Sequence, residues 1–404
     1  MTERGRLALA LGVGTYLAAW AFGSRSLYAP AVGLVLAVGL ALLWTLLLAR
    51  PFRLHRRIDR EQPVEGDDIG VVVELEADGG ILPGSVLLHD PAGGLGERDL
   101  VVPRDGDRLR VAYMVSQVPR GRYRFGGARI SVEDPFGLSS RDQQLPDTGT
   151  LLVYPRLVKL ASLFSERGLR SHGAGRVLLR RPAGFELHSV REYQDGESLR
   201  RVHWPSTARR QQLMVKELED SPRDEIVVVL DAQSGFGAGA PPSSSFDAQV
   251  RAAGSILWTH ARRGRNTRLL VAGKAAEAVA VRSYERDWPR ALEELAAAEQ
   301  DGVRPVEAFL TDDAGVPARA SDVAVVTAAL RPPLVEALLA RAATRQRISV
   351  VYVDLASYGS GDRRAIGVDA AALRLDAAGI PVARLRRGDD LAGVLGASVE
   401  GAVG

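Results

Sequence analysis

Two apolar stretches at the start of the chain limit what the rest can be. Leu7 to Ser24 and Leu27 to Ala49 contain no charged residue, and only Arg25-Ser26 separates them. As helices they would reach about 27 and 34 Å, against a hydrocarbon core of about 30 Å. So short a joint requires a hairpin, and Trp20, Tyr28 and Trp44 stand near the ends, where aromatics suit the headgroup level. Arg4 and Arg6 precede the first run; Arg50, Arg53, Arg56, Arg57 and Arg60 follow the second. The positive-inside rule then places both ends, and everything downstream, in the cytoplasm. A signal peptide would share the charged start of the first run, but the Arg cluster after the second run keeps the remainder cytoplasmic either way. The expectation is a two-span cell-membrane protein whose residues 1–60 form a transmembrane helical hairpin.

That segment also explains the charge balance. Residues 1–60 hold eight Arg against Glu3 and Asp59, which exceeds the formal net charge of +3, so the body of the chain is slightly acidic. A nucleic-acid-binding body is therefore not expected. Cys is absent, which removes disulfides, thiolate zinc sites and cysteine nucleophiles. The six His show no helical pair and no H-E-x-x-H.

Residues 61–155 read as short strands divided by Gly, Pro and Asp. Asp68 to Glu76, Ser85 to His89, Arg108 to Ser116, Arg120 to Phe125, Ala128 to Glu133 and Thr150 to Tyr154 carry the pattern. Leu109, Val111, Tyr113 and Val115 alternate with more polar neighbours, as in a half-buried strand. A small Ig-like β-sandwich is expected, with Asp134-Pro135-Phe136-Gly137 as a structural turn.

Residues 221–404 alternate strands with helices. Ile226 to Leu230 is a continuous apolar run ending at Asp231, the signature of a strand buried on both faces. A Gly/Pro/Ser loop leads to a helix opened by Ser244 and Asp247 at capping-box spacing. Further strands are predicted at 268–272, 276–282, 322–327, 348–353 and 380–385, and helices near 288–299, 334–344 and 370–378. This predicts a doubly wound, mostly parallel sheet. The fold class is thus α+β and multidomain, with 156–220 as a connecting segment.

That connecting segment carries the most specific motif. Arg191, Tyr193, Gly196, Arg200, Trp204, Ala208 and Arg209 fall at the positions of R-x-Y-x-x-G-D-x-x-R-x-I-x-W-x-x-(S/T)-A-R, with Val202 for Ile and Glu197 for Asp. This resembles the motif of the domain-of-unknown-function 58 family, and the order of segments along the chain resembles it too. The resemblance implies a membrane-bound protein with a von Willebrand factor A-like domain, associated in bacteria with a MoxR-type AAA+ ATPase and with no established enzymatic activity. From the residues, Arg191, Tyr193, Gly196, Glu197, Arg200, Trp204 and Arg209 make either an internal Arg–acid–aromatic clamp between domains or a docking face for an acidic partner.

A ligand face is expected outside the carboxyl ends of the strands, around Asp231, Ser234, Thr327 and Asp354. Von Willebrand A-like domains with a metal-ion-dependent adhesion site place D-x-S-x-S there to bind Mg²⁺ through oxygen ligands. Here the run is Asp231-Ala232-Gln233-Ser234-Gly235, so only the Asp matches and no cofactor is expected. No Walker A loop occurs, and Ala232 and Phe236 exclude a nucleophile elbow at Ser234. The expectation is a non-enzymatic, membrane-anchored interaction protein without nucleic-acid partners. The alternatives are a cation-dependent adhesion domain with an incomplete site, and a hydrolase or transferase using His188 and His203.

Overall fold

The structure is a computed structural model that describes residues 1–404 except 49, 78, 80–81, 147–148, 161–162, 165–185, 193–203, 211, 220–224, 313–314, 319, 345, 360–366 and 397–404. The chain divides into two units, residues 1–154 and 155–404.

The first unit opens with two helices, α1 (Glu3–Phe22) and α2 (Arg25–Leu48), both long and apolar enough to cross a membrane. The Thr2 hydroxyl caps α1 by accepting from the Gly5 N–H, and Gly23, at φ +67°, ends it in the left-handed region. Gly12 lets the helices close together, because a Cβ there would lie 3.1 Å from Leu34 and Val35. Tyr16 meets Tyr28 edge to face, with ring centroids 5.4 Å apart. Small residues at the contact are how apolar helices approach when water supplies no driving force.

Nine strands follow: β1 (Phe52–Ile58), β2 (Ile69–Ala77), β3 (Ser85–Asp90), β4 (Arg98–Asp105), β5 (Arg108–Val115), β6 (Gly121–Arg124), β7 (Ala128–Glu133), β8 (Ser140–Leu145) and β9 (Thr150–Val153). Seven make an antiparallel sheet in the order β1-β2-β5-β4-β3-β7-β8, and β6 pairs with β9. The β4–β5 pairing is confined to Arg104 and Asp105 against Leu109 and Arg108. Inward residues on both sides of that junction, such as Val71 and Val73 with Val86 and Ile130, share one core.

The charge count groups residues 52–58 with the hairpin, but they form the edge strand β1. Arg56 in it is buried. Its guanidinium lies 2.8 Å from Asp90, 4.0 Å over the Phe125 ring, and both charged side chains are at most 5 % exposed. Tyr113 donates to the second Asp90 oxygen at 2.8 Å. Burial first, and then that carboxylate, push the Tyr113 hydroxyl above its ordinary range.

In the second unit β10 (Glu186–Glu192) and β11 (Met214–Glu219) form an antiparallel pair, with α3 (Trp204–Arg210) between them in sequence. The remainder is a six-stranded sheet. Its strands are β12 (Ile226–Leu230), β13 (Thr267–Val271), β14 (Glu277–Val281), β15 (Asp322–Thr327), β16 (Arg347–Val353) and β17 (Val382–Leu385), in the order β14-β13-β12-β15-β16-β17. Only β14 is antiparallel.

Helices cover both faces. Val228 and Leu230 pack with α4 (Ser245–Arg262) and α5 (Tyr284–Ala297), whereas Val227 and Val229 pack with α6 (Val306–Thr311), α7 (Pro332–Ala343) and α8 (Val368–Ala377). A last helix, α9 (Leu391–Leu395), joins the first face. Ser244 and Asp247 form the expected reciprocal cap at the start of α4, with both bonds at 3.1 Å.

Removing one member of a buried ion pair strands the other charge, at a cost of about 3–5 kcal/mol. Arg56→Ala is therefore expected to unfold the first unit, or to lower its denaturant midpoint sharply. Tyr113→Phe leaves the pair intact and removes one hydrogen bond to a charged group, which should cost about 1.5–3 kcal/mol. Chemical denaturation of detergent-solubilised protein checks both; equal effects of the two substitutions would contradict the assignment.

Candidate functional site

The sheet order reverses direction at β12, since the chain goes from β12 to β13 on one side and later returns to β15 on the other. The strand ends at such a switch point diverge into a crevice. Asp231 is the first residue beyond β12, and Thr327 is the last of its neighbour β15. The two side chains meet. Thr327 Oγ1 donates to Asp231 Oδ2 at 2.7 Å and accepts from the Ala329 N–H at 3.0 Å. Asp231 Oδ1 accepts from the Gln233 N–H at 3.1 Å.

Both groups are buried, Asp231 at 4 % and Thr327 at 0 % exposure. Burial raises the Asp231 carboxyl above its ordinary value, against the lowering effect of the Thr327 and Gln233 bonds and of Arg331.

The backbone around Asp231 is held from both sides. Its N–H donates to Val326 O, Ala232 O accepts from Gly302 N–H, and the Ser234 N–H donates to Gly302 O, each at 2.9 Å. A Cβ at Gly302 would meet the Ala272 and Ala232 carbonyl oxygens at 2.5 and 2.9 Å, so only glycine fits this crossing. Beyond it, Ser234 is exposed and makes no contact with Asp231 comparable to that of Thr327.

A second set of side chains lies toward the surface. Arg331, just before α7, donates to Gln233 Oε1 at 2.8 Å and pairs with Glu307 of α6 at 3.1 Å. Its guanidinium stands 5.2 Å from the Phe236 ring centroid. Sequence reasoning missed Arg331 and Glu307. No spacing rule relates Gln233 to an Arg 98 residues away; only the loops at the switch point bring them together.

Asp354, at the end of β16, is used differently. One oxygen accepts from the Ala356 N–H at 3.2 Å, capping the short 3-10 turn Leu355–Tyr358, and the other lies 2.9 Å from Arg384 on β17. It belongs to the same edge of the sheet as Asp231, but its partners are on the far side.

Of the motif residues, Tyr193, Gly196, Glu197 and Arg200 lie outside the described residues, as does His203. Arg191 and His188 are on β10, where Arg191 pairs in register with Val215. Trp204 and Arg209 are on α3, both exposed. The Met214 N–H donates to Thr207 Oγ1 at 3.0 Å, which ties α3 to the start of β11.

At the opposite ends of the strands a cavity of about 430 Å³ is lined by Ile226, Asp322 and Ile348 together with His260. Burial, with Arg265, Arg263 and Arg347 nearby, pushes His260 down to about 3, so it is neutral at physiological pH. Among the described residues no group of three or more His, Asp or Glu comes together in a metal-binding arrangement.

An Asn at 231 can keep the local bonds: its carbonyl accepts from Gln233 N–H and its amide donates to Thr327, whose own proton turns to Ala329 O, 3.3 Å away. Because burial raises the folded-state pKa, wild-type protein gains stability as pH falls through that pKa, and the Asn variant does not. Asp231→Asn should be at least as stable as wild type at pH 7, with the gap closing in acid. Thermal midpoints against pH test this; a variant less stable than wild type at pH 7, with the deficit closing in acid, would show the ionised carboxylate to be net stabilising.

Residues 189–357 match the sequence model of a family described as "Protein of unknown function DUF58". The matched span contains Arg191 through Arg209 as well as Asp231, Thr327 and Asp354. The chain is also 28% identical over 319 residues, 76% of this chain and 77% of the other, to "Uncharacterized protein YeaD" of Bacillus subtilis (strain 168). Two solved structures show weaker likenesses. Cwp6 from Clostridium difficile is 11% identical with a TM-score of 0.19, over 74% of this chain and 49% of that one. A GH20 exo-β-N-acetylglucosaminidase from Vibrio harveyi is 10% identical with a TM-score of 0.19, over 75% and 57%. The chain thus spans about half the length of these two, and scores so low carry no argument about fold or activity. The matches at 189–357 and to the Bacillus protein support the DUF58 family, whose function is unknown.

Proposed function

We propose that this is a non-enzymatic, membrane-anchored protein-interaction module whose α/β unit, von Willebrand A-like, binds a protein partner at the carboxyl edge of its sheet. The observation that carries the reading is the Asp231–Thr327 pair at the switch point, roofed by Gln233, Arg331 and Glu307. It offers a fixed, charged and partly exposed surface of the kind a protein partner contacts.

Two apolar helices support a membrane anchor, with the soluble units cytoplasmic by the placement of Arg4, Arg6 and Arg50. The two-halved sheet that shares one core supports an Ig-like layout for the β-domain. The partner implied by the family resemblance is a MoxR-type AAA+ ATPase, and the role implied is assembly or maturation of membrane or envelope complexes. The exposed Trp204 and Arg209 on α3 support the docking-face reading of the motif.

The cation-dependent alternative draws on the same Asp and Thr, both oxygen ligands. Their chemistry here fits a divalent ion poorly. Both Asp231 oxygens already accept hydrogen bonds, and the residue at the first Ser position, Gln233, gives its carbonyl to a guanidinium. A hard cation requires about six free oxygens, and Arg331 already supplies positive charge beside the site.

Crosslinking in cells with affinity capture of the full-length chain tests the proposal. Wild type should recover an AAA+ ATPase, and Asp231→Asn, Arg331→Ala and Glu197→Ala should reduce it. Capture without any ATPase, or capture unchanged in all three, would sink it. Heat on titration with millimolar Mg²⁺ would instead favour the adhesion-type reading.

A further inference from the structure

We propose that the turn Asp134–Ser139 and the groove beside it are a lipid-contacting surface, seated in the headgroup and upper acyl region of the bilayer, with Phe136 inserted among the chains. This rests on reading α1 and α2 as membrane spans.

The argument starts from where the helix ends are tied. In an antiparallel hairpin the start of α1 and the end of α2 lie on one side of the membrane. Both are fastened to the same turn. The Thr2 N–H donates to Leu138 O at 3.2 Å, and Thr2 Oγ1 donates to Gly137 O at 2.6 Å. Gly5 presses on the Leu138 carbonyl so closely that no Cβ would fit. Thr45, in the last turn of α2, shares a 2.9 Å hydrogen bond with Ser139 through their hydroxyls. A turn that touches both ends of the spans must lie at the membrane boundary.

The turn is rigid. Asp134, 4 % exposed, accepts from the Phe136 N–H at 2.9 Å and the Ser139 N–H at 2.5 Å. Gly137, at φ +66°, donates its N–H to Asp134 O at 3.0 Å. This holds Phe136 at the tip with its ring 76 % exposed, a conformation that water alone does not favour.

The apolar surface continues next to it. A cavity of about 490 Å³ is lined by Trp44 and Leu48 of α2 together with Leu87, Val101, Pro83 and Pro135 of the β-domain. Ser85, Ser131 and Glu133 stand among them, a mixture that suits the headgroup level. Leu87, Val101 and Phe136 are three of the four exposed large apolar residues described in residues 50–154, so the exposed apolar surface gathers at the base of the hairpin. The fourth, Met114, pairs with Gly70 beyond the far end of β1, about 20 Å along that strand from its start at Phe52. At 24 residues α2 is about 36 Å long and exceeds a core of about 30 Å, which leaves Trp44 and its last turn at the interface. Exposed Arg4, Arg6 and Arg50 stand at the same level, suited to anionic headgroups. A phospholipid leaflet matches this combination of apolar ring, mixed groove and basic fringe. The groove is continuous with the lipid-facing side of α2.

The chain has no cysteine, so single substitutions give clean labelling sites. Phe136→Cys, Val101→Cys, Leu36→Cys in mid-α2 and Met114→Cys replace exposed side chains and leave the core intact. Each full-length variant is nitroxide-labelled in dilute vesicles of phosphatidylcholine with a minority of phosphatidylglycerol. Relaxation by oxygen is compared with relaxation by a water-soluble nickel chelate. The expected result is loss of nickel accessibility at 136 and 101, as at 36, and full nickel accessibility at 114. Positions 136 and 101 as nickel-accessible as 114, with 36 still protected, would overturn the lipid surface and leave the anchor standing. A nickel-accessible 36 would overturn the anchor itself, and the lipid surface with it.

Discussion

Burial of β12 on both faces is the constraint from which the α/β unit follows. Five successive residues, Ile226 to Leu230, are withdrawn completely from water, which requires helices above and below and neighbours on both edges. Once that strand is central, the chain must leave it at Asp231 and return beside it at Thr327. A carboxylate and a hydroxyl then meet at the end of the sheet, 96 residues apart in sequence. The buried Asp231 costs stability in its ionised form, and what keeps it in place is a pair of hydrogen bonds and the positive field of Arg331. Desolvation and hydrogen bonding pull the carboxyl in opposite directions there.

Much of this architecture was legible in the residues. Continuous apolar runs marked β12, β15 and β16, and the capping box at Ser244 and Asp247 marked the start of α4. The hairpin of apolar helices was visible from length and charge alone. Where legibility ended, the reason is physical. β4 carries Pro103 and charges at both ends, and β8 is Ser-Arg-Asp-Gln-Gln-Leu, so neither shows a strand-like alternation. Their pairing is decided by neighbouring strands. Arg56 looked like a membrane-flanking charge because its partner, Asp90, lies 34 residues on, across three strands of sheet order. The polar roof over Asp231 was hidden for the same reason: Gln233, Glu307 and Arg331 come from three separate loops and helix ends. Ion pairs of this kind leave no trace in local periodicity.

The Asp134-Pro135-Phe136-Gly137 run was read as a structural turn, and it is one. What local pattern could not reveal is that the turn serves two helices from the beginning of the chain, α1 through the Gly137 and Leu138 carbonyls and α2 through the Ser139 hydroxyl. The turn has a closed hydrogen-bond pattern of its own, which frees Gly137 O and Leu138 O to receive Thr2. A loop that satisfies itself internally can offer its remaining acceptors elsewhere, and here they fasten an apolar hairpin to a β-domain.

The edge strand β1 has a consequence of a different sort. An exposed sheet edge is a template for another chain. Among the described strands β1 pairs in the sheet with β2, and it presents Arg53, His55 and Arg57 at its exposed positions. Two such edges brought together would set the like charges of Arg53 and Arg57 against one another. Arg53 and Arg57, following the apolar helices, thus bring like charge to any pairing of β1 edges between copies, the kind of charge that guards a sheet edge against stitching into a fibre.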